Sequence, residues 1–480
     1  MTAPFSVRVM LPADLIDVIA AAPDGPGTVA FFDMDGTLVS GFTVYAFAQE
    51  RLRHLTRSDW DVGSVAMRYQ LGRAEFSELI TASTASLAGT PADDLAEVAE
   101  RVYRNSVARW VYPESRALIA DHRARGHRIV LLSAATDFQV HHLADDLEVD
   151  HVICNVVEID ENGLITGKVT EPLVFGAGKA QAAIDYAEAA GIDLGEAFFY
   201  TDGHEDMPLL ELVGHPQPLN PDRQLAKAAE KAGWQPVSFD SRGRPTRAQI
   251  ARTILSNASV IPSAAAGLLT GLVNRSKRQA INLTMSTWAD YATSLAGVRF
   301  EIAGAGHLWA HRPCVFVFNH QSNFDGLIIM KLLRQDVTAV AKAELKRMPV
   351  IGALFAFGDV VFIDRADHAK SVEALSQAAE TLRSGLSIAV APEGTRQLSP
   401  RLGLFKKGAF HLAIEAQVTI VPIVIHNSLD VLPKGSKVMR PATVRIHVLD
   451  AVSTDGLGHD DAGKLSDNVR NRFLSALGQG

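Results

Sequence analysis

Two aspartates separated by a single residue follow a short apolar run near the start of this 480-residue chain. The run is Val29–Phe32, and the residues after it are Asp33-Met-Asp-Gly-Thr37. Side chains at positions i and i+2 at the carboxyl end of a parallel strand point the same way, into the crevice where α/β proteins bind ligands. We therefore expect Asp33 and Asp35 to face one site. Carboxylates after a strand often only cap a loop, but the longer string that ends in Gly and Thr is more specific.

Four further polar residues follow later apolar runs in the same half of the chain. Ser133 offers a hydroxyl that can hold a phosphoryl oxygen. Lys179 lies at the predicted start of a helix, where a cation can meet phosphate, although the string around it lacks the spacing of a P-loop. Asp202 and Asp206 add the hard oxygen ligands that Mg²⁺ prefers. Together these residues indicate phosphoryl-transfer chemistry.

In this order, the four motifs resemble those of the haloacid dehalogenase superfamily of phosphatases, subfamily I, over about residues 29–215. The resemblance implies a Rossmann-like α/β core with a helical cap after the first motif, and the helix-rich stretch at about 41–112 fits that cap. It also implies that Asp33 is the nucleophile that becomes an aspartyl phosphate. Asp35 would be the general acid for the leaving group and then the base that activates water.

The same resemblance implies how phosphate and metal are held. Ser133 and Lys179 would hold and neutralise the transferring oxygens, because phosphoryl transfer depends on positioning and charge neutralisation. The implied ligands of Mg²⁺ are Asp33, the main-chain carbonyl of Asp35 and Asp202, with Asp206 in support.

The substrate of this first site stays open. Phosphoserine phosphatases usually carry a glutamate a few residues after the DxDGT motif to read the amino group, whereas here no acidic residue occurs between Asp35 and Glu50. Ser133 is followed by Ala-Ala-Thr rather than the usual Gly-Gly. The cap also contains several aromatic residues that either face the site or pack in the core. A small phosphomonoester and a lipid phosphate, such as lysophosphatidate or phosphatidate, are the two alternatives.

A histidine and an aspartate separated by four residues follow another apolar run, Cys314–Phe318, in the second half of the chain. A turn or the opening of a helix would bring the carboxylate of Asp325 to the imidazole of His320. The carboxylate would fix the tautomer and leave the other ring nitrogen free as a general base. A His and an Asp at this spacing are common by chance, so the pair alone decides nothing.

Further sequence motifs after His320 and Asp325 make a catalytic role for this pair more specific. The HxxxxD string is followed by Lys342-Ala-Glu-Leu, then Phe362-Ile-Asp-Arg365, then Pro392-Glu-Gly-Thr-Arg396, and finally Val421-Pro-Ile423. Over about residues 310–430 this set resembles the glycerophospholipid acyltransferases, most closely the 1-acylglycerol-3-phosphate acyltransferases.

This second resemblance implies that His320 deprotonates the free hydroxyl of lysophosphatidic acid, which then attacks an acyl thioester to give phosphatidic acid. The donor would be acyl-CoA or an acyl-carrier protein, and Asp325 would orient His320. The implied grip on the acceptor phosphate consists of Glu393, Gly394, Thr395 and Arg396, with Lys342 and Arg365 as additional contacts. Lys406 and Lys407 belong either to the same rim or to a solvated face.

A basic and apolar segment lies between the two motif sets. From Ser241 to Arg299 there are eight basic residues and one acidic residue, and Thr253–Asn274 is a 22-residue run without charge. The run has the length of a membrane span but is only moderately apolar, and we expect a break at Pro262. We therefore predict a pair of helices that dock on an anionic membrane surface. The alternative is a pair of buried core helices with a solvated basic turn.

Composition limits the remaining possibilities. A chain of this length predicts two to four domains, and we place them at 1–240, 241–300 and 301–480. Two cysteines exclude a Cys-ligated zinc site or iron–sulfur cluster, and a net charge of −8 argues against nucleic acid as a partner. Acidic residues interrupt the N-terminal apolar run, so we expect no secretion signal and a peripheral or monotopic protein on the cytoplasmic face of a membrane.

Two functional interpretations follow from the motifs. In the first, the chain is a bifunctional enzyme of phospholipid synthesis with a Mg²⁺-dependent phosphatase and an acyltransferase. In the second, the phosphatase-like half is a regulatory module that binds a phosphorylated ligand and controls the acyltransferase. The complete set of catalytic residue types in both halves favours the first interpretation.

Overall fold

The computed structural model describes residues 11–51, 76–342, 356–363 and 368–479. Contacts divide the chain between Arg244 and Pro245 into two compact units. Each unit is an α/β structure built on a mostly parallel sheet, which confirms the predicted fold class.

The first unit is organised around a five-stranded sheet in the order β3-β2-β1-β6-β7, parallel throughout. A separate antiparallel hairpin is formed by β4 and β5. The strands are β1 (Val29–Phe32), β2 (Arg128–Thr136), β3 (His151–Asn155), β4 (Val157–Ile159), β5 (Ile165–Val169), β6 (Phe198–Thr201) and β7 (His215–Pro218). The helices are α1 (Ala13–Ala21), α2 (Thr43–Arg51), α3 (Phe76–Ala85), α4 (Ala92–Asn105), α5 (Pro113–Ala124), α6 (Asp137–Leu147), α7 (Ala177–Ala190), α8 (Met207–Leu210) and α9 (Arg223–Ala232).

Apolar side chains cover both faces of this sheet. All four residues of β1 are buried, as expected for a central parallel strand. Phe32 belongs to the apolar cluster that includes residues of α1, α5 and α6, whereas Phe31 belongs to the cluster with residues of α7, α8 and α9. Because β1 lies between β2 and β6, the strand order reverses at its carboxyl end, which opens a crevice where Asp33 follows the strand.

Helices α2, α3 and α4 lie between β1 and α5 in the sequence, where the cap was predicted. Helix α4 packs against α2 and α6, and α3 packs against β5 of the hairpin. Residues 52–75 of the predicted cap are outside the described residues.

A chain of hydrogen bonds joins two buried imidazoles in the core of the first unit. His127 Nε2 lies 3.0 Å from the carbonyl oxygen of Pro23, so it must donate. His127 Nδ1 is then an acceptor for His122 Nδ1 at 2.8 Å, and His122 Nε2 accepts from the hydroxyl of Tyr200 at 2.9 Å. Both rings must be neutral for this chain to form. Burial, and then the neighbouring His127, lowers the pKa of His122 to about 3.

We expect His122→Phe to destabilise the first unit by about 1–3 kcal/mol at pH 7.5, because Tyr200 and His127 lose their buried partners. This loss should shrink as the pH falls towards 5.5. The unfolded chain protonates His122 below a pKa of about 6.5 and the folded chain does not. Wild type therefore loses up to about 1.4 kcal/mol per pH unit through His122, a contribution that the variant lacks.

Free energies of unfolding of wild type and His122→Phe at pH 7.5, 6.5 and 5.5 would measure this difference. His141→Phe is the matched control, since that imidazole is largely exposed and pairs with Asp145 at the surface. A His122→Phe difference that is constant over the range would contradict the neutral chain.

The second unit contains a seven-stranded sheet in the order β11-β10-β12-β9-β13-β14-β8, in which β13 and β14 are antiparallel and the other neighbours are parallel. The strands are β8 (Arg299–Ala303), β9 (Val315–Phe318), β10 (Val337–Lys342), β11 (Val361–Ile363), β12 (Ser387–Val390), β13 (Ile420–Ile425) and β14 (Thr443–Val448). The helices are α10 (Arg247–Ala258), α11 (Val260–Asn274), α12 (Lys277–Ala296), α13 (His307–Ala310), α14 (Asp325–Leu333), α15 (His368–Arg383), α16 (Gly408–Ala416), α17 (Ser428–Val431) and α18 (Ala462–Leu477).

Three helices, rather than two, form the segment before β8. The expected break at Pro262 is wrong, because the helices separate at Ser259 and Pro262 lies in the first turn of α11, where proline is tolerated. Helix α10 is fixed to the unit by buried hydrogen bonds: Thr253 Oγ1 accepts from the N–H of Met439, and Ser256 Oγ donates to the carbonyl of Ala292. The continuous stretch 247–274 is long and apolar enough to cross a membrane by length and composition alone.

Helix α11 packs on α12 through two glycines. A Cβ at Gly267 would lie 2.0 Å from Thr284 Oγ1, and one at Gly271 would lie 2.7 Å from the Cβ of Ala280. Small residues at this spacing let two helices approach closely. The opposite side of α11 is left exposed, and its apolar side chains there are Ile261, Leu268, Leu269, Leu272 and Val273.

Two bases at the turn between α11 and α12, Lys277 and Arg278, are paired with acids of the same unit. Lys277 Nζ lies 2.6 Å from Asp359 Oδ1, and Arg278 Nε lies 2.7 Å from Asp336 Oδ1. These two charges are therefore partly neutralised by the protein itself.

We expect Gly267→Ala to destabilise the second unit by about 1–3 kcal/mol, because the added methyl overlaps Thr284 and forces the two helices apart. Elsewhere in a helix the same change stabilises by about 0.5–1 kcal/mol. Gly408→Ala in α16 is the matched control, since nothing lies within 4 Å of its Cβ position. Thermal unfolding midpoints should shift in opposite directions, and a shift in the same direction would exclude the close packing.

Candidate active sites

The first candidate site forms at the carboxyl ends of β1 and β6. Lys179, in the first turn of α7, donates from Nζ to Asp33 Oδ1 at 2.6 Å and to Asp206 Oδ2 at 2.8 Å. The hydroxyl of Thr201 also donates to Asp206 Oδ2, at 2.6 Å. Burial alone would lower the pKa of Lys179, but the charges of Asp206 and Asp33 raise it overall, so the ammonium group stays charged.

Asp35 is held by the start of the cap rather than by Lys179. The main-chain N–H of Thr43 lies 3.0 Å from Asp35 Oδ1, and the hydroxyl of Thr43 donates to Oδ2 at 2.9 Å. Burial, followed by the charge of Asp33, raises the pKa of Asp35 to about 7. A carboxyl group with this pKa can carry a proton at neutral pH, which a general acid requires.

The carboxylate of Asp202 lies at the same site and packs against the main chain at Gly36. A Cβ on Gly36 would lie 2.0 Å from Asp202 Oδ2, and Gly36 has a φ of +84°, so only glycine fits here. Thr37 Oγ1 donates to Asp202 Oδ1 at 3.3 Å. Burial, and then the charge of Asp33, raises the pKa of Asp202 to about 9. Burial likewise raises the pKa of Asp33 to about 6.

The donor set at this site fits a hard divalent cation. Two buried carboxylates, those of Asp33 and Asp206, share one lysine, and Asp206 Oδ1 is buried without a hydrogen-bond partner. Within the described residues, no three His, Cys or acidic side chains already surround one point. The set implied by the sequence needs only the carboxylates of Asp33 and Asp202 and the main-chain carbonyl of Asp35, with water completing the shell.

Ser133 lies inside β2 rather than after it. The strand continues to Thr136, and Ser133 is two residues beyond Leu131, which pairs with Phe32 of β1. Its buried hydroxyl oxygen accepts from the N–H of Ala135 at 3.2 Å. The register therefore places Ser133 on the strand next to the one that precedes Asp33.

The second candidate site forms where β9 ends and α14 begins. Asp325 is fully buried, and its Oδ2 lies 2.8 Å from His320 Nδ1. The main-chain N–H groups of Gln321 and Ser322 donate to the same oxygen, each at 2.8 Å. A carboxylate in this position keeps the proton on Nδ1 and leaves Nε2 as the base.

Glu393 is bound to the main chain on two sides. The N–H of His320 donates to Glu393 Oε1 at 2.7 Å, and the N–H of Gly403 donates to Oε2 at 2.8 Å. The residue is only 4% exposed, and burial raises its pKa.

The remaining residues of the predicted phosphate grip lie on the same turn. Gly394 has a φ of +73°, Thr395 is exposed, and Arg396 Nη1 donates to Asn323 Oδ1 at 2.6 Å. The N–H of Gln397 also donates to the carbonyl of His320, at 2.8 Å. This turn is thus fixed to the turn that contains His320.

Two predicted contacts fall on undescribed parts of the chain. The side chain of Lys342, at the end of β10, and the whole of Arg365 lie outside the described residues. Lys406 and Lys407 are exposed.

Sequence reasoning missed several residues that hold the catalytic candidates. Thr43 holds Asp35, Asn220 Nδ2 donates to the carbonyl of Gly36 at 2.9 Å, and Gly403 and Gln397 hold the second site. The amide of Asn319 exchanges two hydrogen bonds with the main chain of Ile425, at 2.8 and 2.7 Å. Asn319 and Gln397 are each adjacent in the sequence to a predicted site residue, but no local signal identifies the other three.

Comparisons with known proteins agree with the division into two sites. The family model described as haloacid dehalogenase-like hydrolase matches residues 30–211, and the model described as acyltransferase matches residues 299–426. Both resemblances inferred from the motifs are thereby confirmed.

Curated relatives match somewhat more than a third of the chain. The 1-acyl-sn-glycerol-3-phosphate acyltransferase alpha of Homo sapiens is 38% identical over 184 residues, which cover 38% of this chain and 65% of the human protein. The protein of the same name from Mus musculus is 37% identical over 38% of this chain and 66% of its own length. An uncharacterized acyltransferase of Schizosaccharomyces pombe is 35% identical, covering 41% of this chain and 71% of the yeast protein. The chain thus spans slightly less than two thirds of the mammalian relatives.

Two solved structures each align with slightly less than half of the chain. The 1-acyl-sn-glycerophosphate acyltransferase of Thermotoga maritima has 21% identity and a TM-score of 0.43, and covers 48% of this chain and 94% of its own. A phosphoserine phosphatase solved as a phospho-aspartyl intermediate analogue has 18% identity and a TM-score of 0.36, covering 45% of this chain and 94% of its own.

Proposed function

Because the chain belongs to the acyltransferase family and also contains a haloacid dehalogenase-like hydrolase domain, we propose that it is a bifunctional enzyme of phospholipid synthesis. One activity transfers an acyl group from acyl-CoA or acyl-carrier protein to 1-acylglycerol-3-phosphate, giving phosphatidic acid. The other hydrolyses a phosphomonoester. The observation that supports the first activity best is the 2.8 Å contact between His320 Nδ1 and Asp325.

In the acyl transfer that we propose, His320 Nε2 removes the proton from the free hydroxyl of the lysophospholipid. The oxygen attacks the thioester carbonyl, the thiolate leaves, and the imidazolium returns its proton to the sulfur. Asp325 stabilises the imidazolium during this cycle. Cys314 is not a relay nucleophile, because it is buried next to β9 and burial raises its pKa to about 12.

In the proposed phosphatase reaction, a carboxylate oxygen of Asp33 attacks phosphorus and forms an aspartyl phosphate. Asp35 gives its proton to the leaving oxygen and then accepts one from the water that hydrolyses the intermediate. Lys179 keeps Asp33 in place and supplies positive charge beside the phosphoryl oxygens. Mg²⁺, held by Asp33, Asp202 and the main-chain carbonyl of Asp35 with Asp206 in support, would neutralise those oxygens further.

A lipid phosphate is the second candidate substrate for the phosphatase, and exposed aromatic rings beside Asp35 favour it. Phe42 and Tyr45 flank Thr43, both are about half exposed, and their rings meet edge to face. Phe76 of the cap stacks on Phe175, just before the helix that carries Lys179. These rings suit an apolar leaving group better than the zwitterionic one of phosphoserine.

The two activities should separate by mutation. We expect Asp33→Asn to lower phosphate release by about 10³-fold or more while acyl transfer stays unchanged. His320→Ala should lower acyl transfer by about 10²–10⁴-fold and leave phosphate release intact. One measurement is phosphate release from a panel that includes phosphoserine, lysophosphatidate and phosphatidate. The other is transfer of a labelled oleoyl group from oleoyl-CoA to lysophosphatidate.

Metal removal provides a further control on the same enzyme. Chelation should abolish phosphate release, and added Mg²⁺ should restore it, whereas acyl transfer should not respond. Loss of both activities in a folded single variant would exclude two independent sites. No release from any ester by wild type would favour the regulatory interpretation of the first unit.

We also propose that the exposed face of α11 binds an anionic membrane from the cytoplasmic side, as a peripheral or monotopic attachment. A 15-residue helix is about 22 Å long, shorter than the roughly 30 Å hydrocarbon core, and α10 before it is fixed to the unit. Helix α11 therefore suits a position in the plane of the interface. Since Lys277 and Arg278 are already paired, apolar contact should contribute more than charge.

Vesicle flotation tests this proposal. We expect Leu272→Asn with Val273→Asn to reduce binding by about tenfold or more on both neutral and anionic vesicles, because both side chains are exposed and apolar. Arg275→Gln should reduce binding only on anionic vesicles and by about fivefold. Leu404→Asn, on an exposed loop of the same unit, is the control. Equal binding by the double variant and wild type would sink the docking role of α11.

A further inference from the structure

The carboxylate of Glu393 faces main-chain N–H groups on both sides. Oε1 accepts from His320 and Oε2 accepts from Gly403. The two residues are far apart in the sequence, so Glu393 joins the turn of His320 to the loop after its own motif. With 4% exposure, its oxygens have little surface left for a ligand.

The charge of Glu393 is also unsuited to phosphate. A buried carboxylate and a phosphate monoester would repel each other at short range, and the N–H donors that stabilise Glu393 are already in use. Arg396, on the same turn, carries the positive charge that phosphate recognition requires.

The backbone of His320 is fixed on both sides by the turn that contains Glu393. Its N–H is bound by Glu393 Oε1 and its carbonyl by the N–H of Gln397. Asp325 fixes the ring through Nδ1. Asp325 therefore sets the orientation of the ring, whereas Glu393 sets the position of the main chain that carries it. Small displacements of a catalytic group cost large factors in rate.

We propose that Glu393 is a positioning residue for acyl transfer, which acts by fixing the main chain of His320 and not by binding the acceptor phosphate. This inference rests on the proposed acyltransferase activity and revises the role of Glu393 in the predicted phosphate grip. An amide in place of the carboxylate can accept from only one of the two N–H groups and meets the other with its own donor.

The experiment compares Glu393→Gln with Arg396→Gln in the full chain. For Glu393→Gln we expect kcat to fall about 10- to 100-fold while KM for lysophosphatidate stays within about threefold. For Arg396→Gln we expect KM to rise about tenfold or more. Glu301→Gln is the matched control, because that carboxylate pairs with Arg445 at a half-exposed position on β8. A raised KM with unchanged kcat for Glu393→Gln would overturn the proposal.

A double-mutant cycle distinguishes positioning from a general effect on folding. If Glu393 acts through His320, Glu393→Gln should lower kcat by less than about threefold when it is added to Asp325→Asn, because that variant has already disabled the histidine. Full additivity would contradict the proposal. Glu393→Asp, which keeps the charge but shortens the reach, gives the same comparison if Glu393→Gln does not fold.

Modification of His320 by diethylpyrocarbonate, followed by peptide mapping, gives a readout that does not require turnover. We expect faster modification in Glu393→Gln than in wild type, because the residue is released on one side. If wild type shows no acyl transfer, that result counts against the proposed function but not against the positioning role. Unchanged modification rates would count against the positioning role.

Discussion

Burial of carboxylates at the ends of parallel strands is the constraint on which both sites depend. A charge removed from water costs several kcal/mol unless partners compensate it. In the first unit Lys179 compensates Asp33 and Asp206 together. In the second unit main-chain N–H groups compensate Asp325 and Glu393. The turns around each site are shaped by the need to supply these donors.

The two kinds of compensation leave the sites electrically different. One lysine serves several acids in the first unit, and the surplus is visible in the pKa of Asp202, which burial and then Asp33 raise to about 9. A site with such a surplus of acids attracts cations. The second site pairs one acid with the ring of a histidine and another with main-chain amides, so it has no comparable surplus and instead restrains His320 through both its ring and its main chain.

Local spacing was sufficient to predict the fold class and the residues that share each strand end. Asp33 and His320 both follow apolar strands, and the carboxyl ends of such strands converge. Contacts that depend on the tertiary fold could not be predicted. The binding of Asp35 by Thr43 depends on how the cap enters, and the pairing of Lys277 with Asp359 depends on the fold of the whole unit. The sequence of the basic segment therefore predicts more unpaired positive charge than the structure has, because Lys277 and Arg278 are paired with acids.

The hydrogen bonds described at each site are completed on one side of the division between Arg244 and Pro245. Neither set of described hydrogen bonds includes a residue from the other unit. Covalent continuity then fixes a one-to-one ratio of the two proposed catalysts wherever the chain is made. If the product of one is a substrate of the other, the link also sets the local concentration at which they meet, a quantity that two separate proteins would leave to expression and diffusion.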